Sequence, residues 1–175
     1  MPTLDTPFIH EWLFAHAGRR PEAPAVAGPG WAVTYGVLAD RVRALAAHLA
    51  AAGVTRGTRL LVALPNNPAT VAASLAAQAL GAIPVEVNRE WSAETLAAIV
   101  GQTRVRQAFV AGRDARAWGA VAARHPLDRF WCVHGGPLPA KLAQDLGPAP
   151  ATLVLEDGRV DPSVPAPPAP ALPAL

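Results

Sequence analysis

The stretch LPNNPATVAASLAAQALGAIPVEVN, residues 64–88, decides the fold. It has an apolar lead-in, a Pro-Asn-Asn-Pro break, an alanine-rich segment, a glycine and a second apolar run. Asn67 is suited to cap a helix, and Pro68 to fill the first helical position, where its missing N–H costs nothing. The alanines let the helix backbone lie close to a sheet, and Gly81 is expected to end the helix. The stretch predicts a strand–helix–strand unit that is buried on both faces and carries no catalytic side chain.

The same alternation continues on both sides of this unit. RLLVAL, residues 59–64, is continuously apolar, which is typical of a strand covered on both faces. A helix is predicted between a Thr34 cap and Gly53, with one apolar stripe formed by Leu38, Val42, Leu45 and Leu49. Ser92 should cap another helix, and the strands RQAFVAG (106–112) and RFWCVHG (129–135) flank the helix DARAWGAVAAR (114–124). This order predicts an α/β fold, a layered parallel sheet built from βαβ units with right-handed crossovers.

Both ends of the chain depart from this alternation. Thr6 and Pro7 are predicted to begin a short amphipathic helix that stops at Gly18, before two short strands around a turn at residues 28–30. ATLVLEDGRV, residues 151–160, predicts a hairpin turning at Asp157-Gly158, and the proline-rich residues that follow predict an extended linker. We therefore predict an α/β subdomain over residues 1–146, and a hairpin with a linker over residues 147–175.

The composition excludes several classes of protein. The 175 residues are 51% hydrophobic and 16% charged. This composition indicates that the helices and strands are buried on both faces, or that part of the surface contacts another domain or protein. Net charge is +2 and aromatics make up 6%, without arginine runs between them, which argues against nucleic-acid binding. Cys132 is the single cysteine, which fits a reducing cytosol. The most apolar window, residues 69–83, is too short to span a membrane, so we expect a soluble cytoplasmic protein.

Motifs for catalysis are incomplete. His134-Gly135-Gly136 resembles the oxyanion loop of lipases, but the chain has no Gly-x-Ser-x-Gly turn to supply a nucleophile. Cys132 and His134 share one strand face and could form a thiolate pair, although a lone strand cysteine is more often a small buried hydrophobic residue.

Motifs for metal and phosphate binding are incomplete as well. His10-Glu11 lacks the second histidine of a zinc-binding helix, and no Gly-x-x-x-x-Gly-Lys loop occurs. Lys141 is the only lysine and is predicted to be a solvated helix residue. From these motifs we assign no catalytic, cofactor-binding or metal-binding residue.

Residues 33–100 carry a family resemblance. TYGVL at residues 34–38 is similar to the first core motif of the adenylate-forming ligases, Thr/Ser-Tyr-x-Glu-Leu. ALGAIPV at residues 79–85 is similar to the second motif, lysine-alanine-glycine followed by a proline-containing strand, and residues 64–82 match the helix between the two. The chain therefore resembles the N-terminal subdomain of an AMP-dependent synthetase/ligase, from about residue 8 to about residue 112 and more weakly beyond.

Two positions depart from the family pattern. Val37 stands where the first motif has the glutamate of a capping box, which costs about 1 kcal/mol or less while Thr34 keeps its role as the cap. Glu86 aligns with the proline of the second motif, and Pro84 lies two residues earlier. Glu86 is consequently expected to need a hydrogen-bond partner or solvent.

The resemblance implies an activity that this chain does not contain in full. The family activates a carboxylic acid with ATP and Mg²⁺ to an acyl-adenylate, then transfers the acyl group to the thiol of CoA or of a carrier protein. Its Thr/Ser/Gly-rich ATP loop, its adenosine-binding motif and its catalytic lysine lie downstream of a linker, and none occurs in this sequence. We expect the chain alone to be inactive, with the remainder of the ligase, in cis or as a separate chain, as its partner.

Two alternatives stay open. The chain is a stand-alone, truncated adenylation-like protein that binds or regulates a partner ligase without catalysing a reaction. Or it is an unrelated flavodoxin-like binding module, which requires a ligand at the carboxyl ends of the strands where the strand order switches. The sequence places no glycine-rich or Ser/Thr-rich loop there, which ranks the binding module last.

Overall fold

Five parallel strands form the centre of the molecule. The structure is a computed structural model that describes residues 8–135, 140–146, 151–155 and 158–159. The strands of the main sheet are β3 (Arg59–Ala63), β4 (Ile83–Glu86), β5 (Gln107–Ala111), β6 (Arg129–His134) and β7 (Ala151–Leu155). They pair in the order β4-β3-β5-β6-β7, and each pair is parallel. The predicted α/β fold with βαβ units is confirmed.

Helices cover both faces of this sheet. The helices are α1 (Ile9–Arg19), α2 (Tyr35–Ala51), α3 (Pro68–Ala79), α4 (Ala93–Thr103), α5 (Ala115–Arg124) and α6 (Ala140–Leu146). Buried residues of the first three helices cluster with Leu60 and Val62 of β3, and those of the last three with Leu61 and Ala63. Because successive strand residues point to opposite faces, β3 contributes to both cores, as its continuous apolar sequence predicts. A separate antiparallel hairpin, β1 (Pro24–Gly28) and β2 (Trp31–Thr34), precedes α2.

Helix α3 lies close to the sheet because its buried face consists of alanine. Five alanines are at most 1% exposed: Ala69, Ala72, Ala73, Ala76 and Ala77. The Thr70 N–H donates to Asn67 Oδ1 at 3.1 Å, and Pro68 fills the first helical position. Gly81 has a φ of +69°, a left-handed conformation that favours glycine. The boundaries predicted from local sequence are confirmed for this helix.

Helix α2 is confirmed in the same way. Thr34 Oγ1 accepts a hydrogen bond from the Val37 N–H at 3.4 Å, so the cap forms without the family glutamate. The predicted stripe of Leu38, Val42, Leu45 and Leu49 is fully buried. After the helix, Gly53 adopts a φ of +84°.

A buried polar chain connects α2 to two strands of the sheet. Trp131 Nε1 donates to Gln107 Oε1 at 3.0 Å, and Gln107 Nε2 donates to the Ala52 carbonyl oxygen at 3.0 Å. The indole also stacks on Phe109, with 5.7 Å between ring centres. Since a buried donor without a partner costs about 1–3 kcal/mol, the glutamine satisfies two groups that would otherwise weaken the core.

The predicted start of helix α1 was wrong. The cap is Phe8, and its N–H donates to Glu11 Oε2 at 2.6 Å, so a carboxylate in the first turn serves the helix end. Thr6 and Pro7, the residues predicted to begin the helix, precede the observed cap and lie outside the described residues. The helix also continues through Gly18 and ends at Arg19.

Strand β7 is the fifth strand of the parallel sheet, and Leu153 pairs with Cys132. The sequence predicted this strand, but as the first strand of an antiparallel hairpin rather than as a partner of β6. Asp157 and residues 160–175 lie outside the described residues, so the hairpin and the linker stay predictions. The predicted division after residue 146 falls between two strands of one sheet. Gly158 is buried beside the start of α3, where an added Cβ would lie 3.0 Å from Ala72 Cβ.

Helices α5 and α6 touch at Gly119, which yields a stability prediction. A Cβ at this position would overlap the carbonyl oxygen of Asp145, and backbone cannot move aside as a side chain can. We expect Gly119→Ala to lower the free energy of unfolding in urea by roughly 1–3 kcal/mol. Gly18→Ala is the matched control, because no atom lies within 4 Å of its added Cβ. The control should be neutral or stabilising by up to about 1 kcal/mol; equal destabilisation of both variants would contradict this contact.

Candidate functional site

The strand order switches direction at the carboxyl ends of β3 and β5. From β3 the chain moves to β4 on one side through α3, and it then returns across the sheet to β5 through α4. The helices that follow β3 and β5, α3 and α5, cover opposite faces of the sheet, so the loops after these two strands diverge. In doubly wound sheets such a switch point is where a ligand crevice opens.

A cleft of about 490 Å³ lies at this switch point. Its lining comes from the loops after three strands: Pro65, Asn67, Ala111, Gly112, Arg113, Val133, His134 and Gly135. The polar members are an amide, a guanidinium and an imidazole, and none of the described lining residues is acidic. Asn67 Oδ1 already accepts hydrogen bonds from Thr70, which leaves the amide N–H groups of Asn67 for a ligand. The cleft is suited to a polar or anionic group but has no run of glycine N–H groups to surround a phosphate.

An ion pair fixes the adjacent edge of the sheet. Arg89, after β4, places Nη1 at 3.3 and 3.2 Å from the two carboxylate oxygens of Asp114, after β5. The side chains are 22% and 20% exposed, so the pair is better shielded than an ordinary surface ion pair. It reaches past the end of β3 and joins the loops that follow β4 and β5. No local motif indicates this pair; the one signal in the sequence is that both residues follow predicted strands.

The structure does not support a thiolate pair at Cys132. The thiol is fully buried among apolar residues on the α4–α6 side of the sheet, and burial raises its pKa to about 11. A thiol is a nucleophile only as the thiolate, so this cysteine is a small hydrophobic residue of the core. His134 lines the switch-point cleft and is half-buried. Gly136, the last residue of the lipase-like triplet, lies outside the described residues.

The other candidates are not assembled into a site. His10 is buried with its ring stacked on Phe8, 5.8 Å between centres, and burial lowers its pKa. Lys141 is exposed on α6, as predicted. Within the described ranges, no group of three or more His, Cys, Asp or Glu side chains could hold a metal ion. No helix in those ranges is both long and apolar enough to cross a membrane.

Comparison with known proteins agrees with the fold. The sequence profile of the AMP-binding enzyme family matches residues 13–173. The chain is 38% identical over 105 residues to chalcone synthase cfoA of Aspergillus candidus, covering 60% of this chain and 4% of that protein. It is 28% identical over 124 residues to 3-hydroxybenzoate–CoA ligase of Aromatoleum sp. (strain CIB), covering 71% of this chain and 24% of that protein. The chain thus spans about a quarter or less of these two relatives.

Solved structures show the same fold. The crystal structure of the anthranilate CoA ligase AuaEII in complex with anthranoyl-AMP superposes with a TM-score of 0.70 at 18% identity. The superposition covers 81% of this chain and 28% of the ligase. Strand order alone does not distinguish this fold from a flavodoxin-like module, whose order is equivalent, so the family match makes that distinction.

The buried thiol gives a direct chemical prediction. A cysteine whose pKa rises from 9.0 to about 11 holds about a hundredfold less thiolate at neutral pH, and here the sulfur is also shielded from solvent. We expect Ellman's reagent to label Cys132 at least about a hundredfold more slowly in the native chain than in the chain unfolded by guanidinium chloride. Stoichiometric labelling of the native chain at the unfolded rate would show an accessible thiolate and would reopen the catalytic pair.

Proposed function

The chain belongs to the AMP-binding enzyme family, and on that premise we propose that it is the N-terminal α/β subdomain of an AMP-forming ligase. The intact ligase converts a carboxylic acid and ATP to an acyl-adenylate and pyrophosphate. The acyl group then passes to a thiol of CoA or of a carrier protein, and AMP leaves. The family match over residues 13–173, which spans β1 to β7, is the observation that supports this proposal.

Two related proteins suggest which substrates to test first. One is named for 3-hydroxybenzoate and the other for anthranilate, and both are CoA ligases. Aromatic carboxylic acids and CoA are therefore the first candidates for the acid and the acceptor thiol. The apolar groups that this chain contributes to its two cores are sheet-covering residues, so the specificity for the acid belongs to the remainder of the ligase.

The described residues do not fit an ATP or Mg²⁺ site on their own. The switch-point cleft has one arginine and one free amide, and the 175 residues include no glycine-rich loop ending in Pro-Lys. Mg²⁺ prefers carboxylate oxygens, and the described lining of the cleft has none. ATP, Mg²⁺ and the thiol are accordingly assigned to the remainder of the ligase, in cis or as a separate chain. This subdomain supplies the rigid sheet against which those parts are arranged.

Acid-dependent exchange between ATP and labelled pyrophosphate tests the assignment. The purified 175-residue chain should give no exchange above the blank with benzoate, 3-hydroxybenzoate or anthranilate, because it lacks groups to hold the phosphates. The same chain extended through the reading frame that follows residue 175 should show exchange that depends on one of these or another carboxylic acid.

Turnover by the chain alone would show that it holds a complete nucleotide site. Absence of exchange in the extended polypeptide with every acid tried would refute the ligase assignment. A stop codon directly after residue 175, together with a ligase recovered in a pull-down, would favour the non-catalytic, partner-binding alternative.

A further inference from the structure

Glu86, the residue that replaces the family proline, has a defined place in the structure. It ends β4 on the face covered by α3, and Ser74 Oγ donates to Glu86 Oε1 at 2.6 Å. Ser74 is only 8% exposed, so this bond holds the carboxylate from within the protein. Glu86 itself remains exposed, and Ser74 holds only one of its two oxygens. The expected partner is present, and a negative charge is fixed at a defined position.

That position belongs to a groove of about 670 Å³ between α1 and α3, which we call the α1–α3 groove. Its volume is in the range of small-molecule sites. Aromatic rings of Trp12, His16 and Tyr35 follow one another along one wall, with 6.3 and 5.1 Å between successive centres. The facing wall is formed by α3 and includes Val71, Leu75 and Gln78.

The full charge on the described lining of this groove is negative, while Arg19 and Arg20 lie beside its His16 and Tyr35 wall. Glu86 is the single Asp, Glu, Lys or Arg among the described residues that line it. Burial, together with Arg20 and Arg19, lowers the pKa of His16, whose ring is therefore uncharged at neutral pH. Aromatic faces attract cations, and a carboxylate beside them adds a charge-assisted hydrogen bond. The guanidinium of Arg20 lies 5.2 Å from the ring centre of Tyr35, within the range of a cation–π contact, so a ligand cation would bind at the Glu86 end of the groove, away from this ring.

We propose that the α1–α3 groove is a binding site for a small organic cation. The apolar body of the ligand lies between Trp12 and α3, and its ammonium group donates to the Glu86 carboxylate. A carboxylic acid of the same shape is repelled by Glu86. Among the described residues, the groove shares no lining residue with the switch-point cleft. This site therefore goes beyond the proposed ligase function and is tested independently of it.

Three probes of similar shape and different charge test the proposal on the full 175-residue chain. Phenethylammonium, 2-phenylethanol and 3-phenylpropionate are titrated into the ¹⁵N-labelled protein, and amide shifts are followed by NMR. Phenethylammonium should shift the amides of Val71, Ser74 and Gln78 with saturation. The neutral alcohol should bind at least about tenfold more weakly, because it lacks the charged contact, and the anion should not bind.

Three variants complete the test, and two of them, Glu86→Gln and Glu94→Gln, remove the same charge at different places. Glu86→Gln keeps an oxygen for Ser74 and removes the charge, so the affinity for phenethylammonium should fall about tenfold, to that of the alcohol. Glu94→Gln, on α4 at the opposite face of the sheet, removes the same charge and should leave the affinity unchanged. Trp12→Ala, at a side chain that is 52% exposed, should weaken the ammonium and the alcohol alike without unfolding the chain.

Three outcomes would overturn the site. Equal binding of the ammonium and the alcohol would show that Glu86 contributes no recognition. An equal loss in Glu94→Gln would show that only the net charge of the protein matters. An absence of saturating shifts at Val71, Ser74 and Gln78 with all three probes would show that the groove holds no such ligand. None of these results depends on whether the intact protein has ligase activity.

Discussion

A parallel sheet must be covered on both faces, and the rest of this structure depends on that constraint. Strand β3 lies between β4 and β5, and its side chains enter two separate cores. Apolar strands of this kind are stable only when helices exclude water from each side. Helix α3 meets the requirement with alanines, which bring its backbone close to the sheet at little cost in side-chain entropy. Placing α3 and α5 on opposite faces is also what opens the switch-point cleft.

The same constraint determines how many of the described apolar and polar residues are used. Many of the described apolar residues are buried in the two cores, and Cys132 is unreactive because it lies among them. Some buried polar groups are paired, as Trp131 is with Gln107 and Ser74 with the exposed Glu86, whereas the buried His10 Nδ1 and Trp118 Nε1 have no hydrogen-bond partner within the described part of the chain. The paired groups favour one arrangement of the elements. These described contacts stabilise the packing of the helices on the sheet.

Local chemistry was predictable from the sequence, and non-local pairing was not. The caps Thr34, Asn67 and Ser92 act within one helical turn, so their residue types determine three helix starts. At α1 the cap contact comes from Glu11, inside the helix, whose carboxylate accepts from the Phe8 N–H. The Thr6-Pro7 pair matched the usual pattern for a helix start and led to the wrong first residue. The partner of β7 depends on where the chain returns to the sheet, and no local pattern encodes it. For the same reason the Arg89–Asp114 pair, 25 residues apart, was found only in the structure.

Native-state hydrogen exchange on the 175-residue chain tests most directly whether this sheet forms a stable platform by itself. If the sheet is stable in this chain, the amides of β3 and β5, which have strands on both sides, should exchange slowest and only through global unfolding. Their opening free energy should equal the free energy of unfolding measured in urea, while the edge strand β4 exchanges faster. If the amides of β3 exchanged as fast as those of β4, or without protection, the chain would not bury this sheet on its own. That result would refute the claim that the 175 residues form a stable sheet covered on both faces.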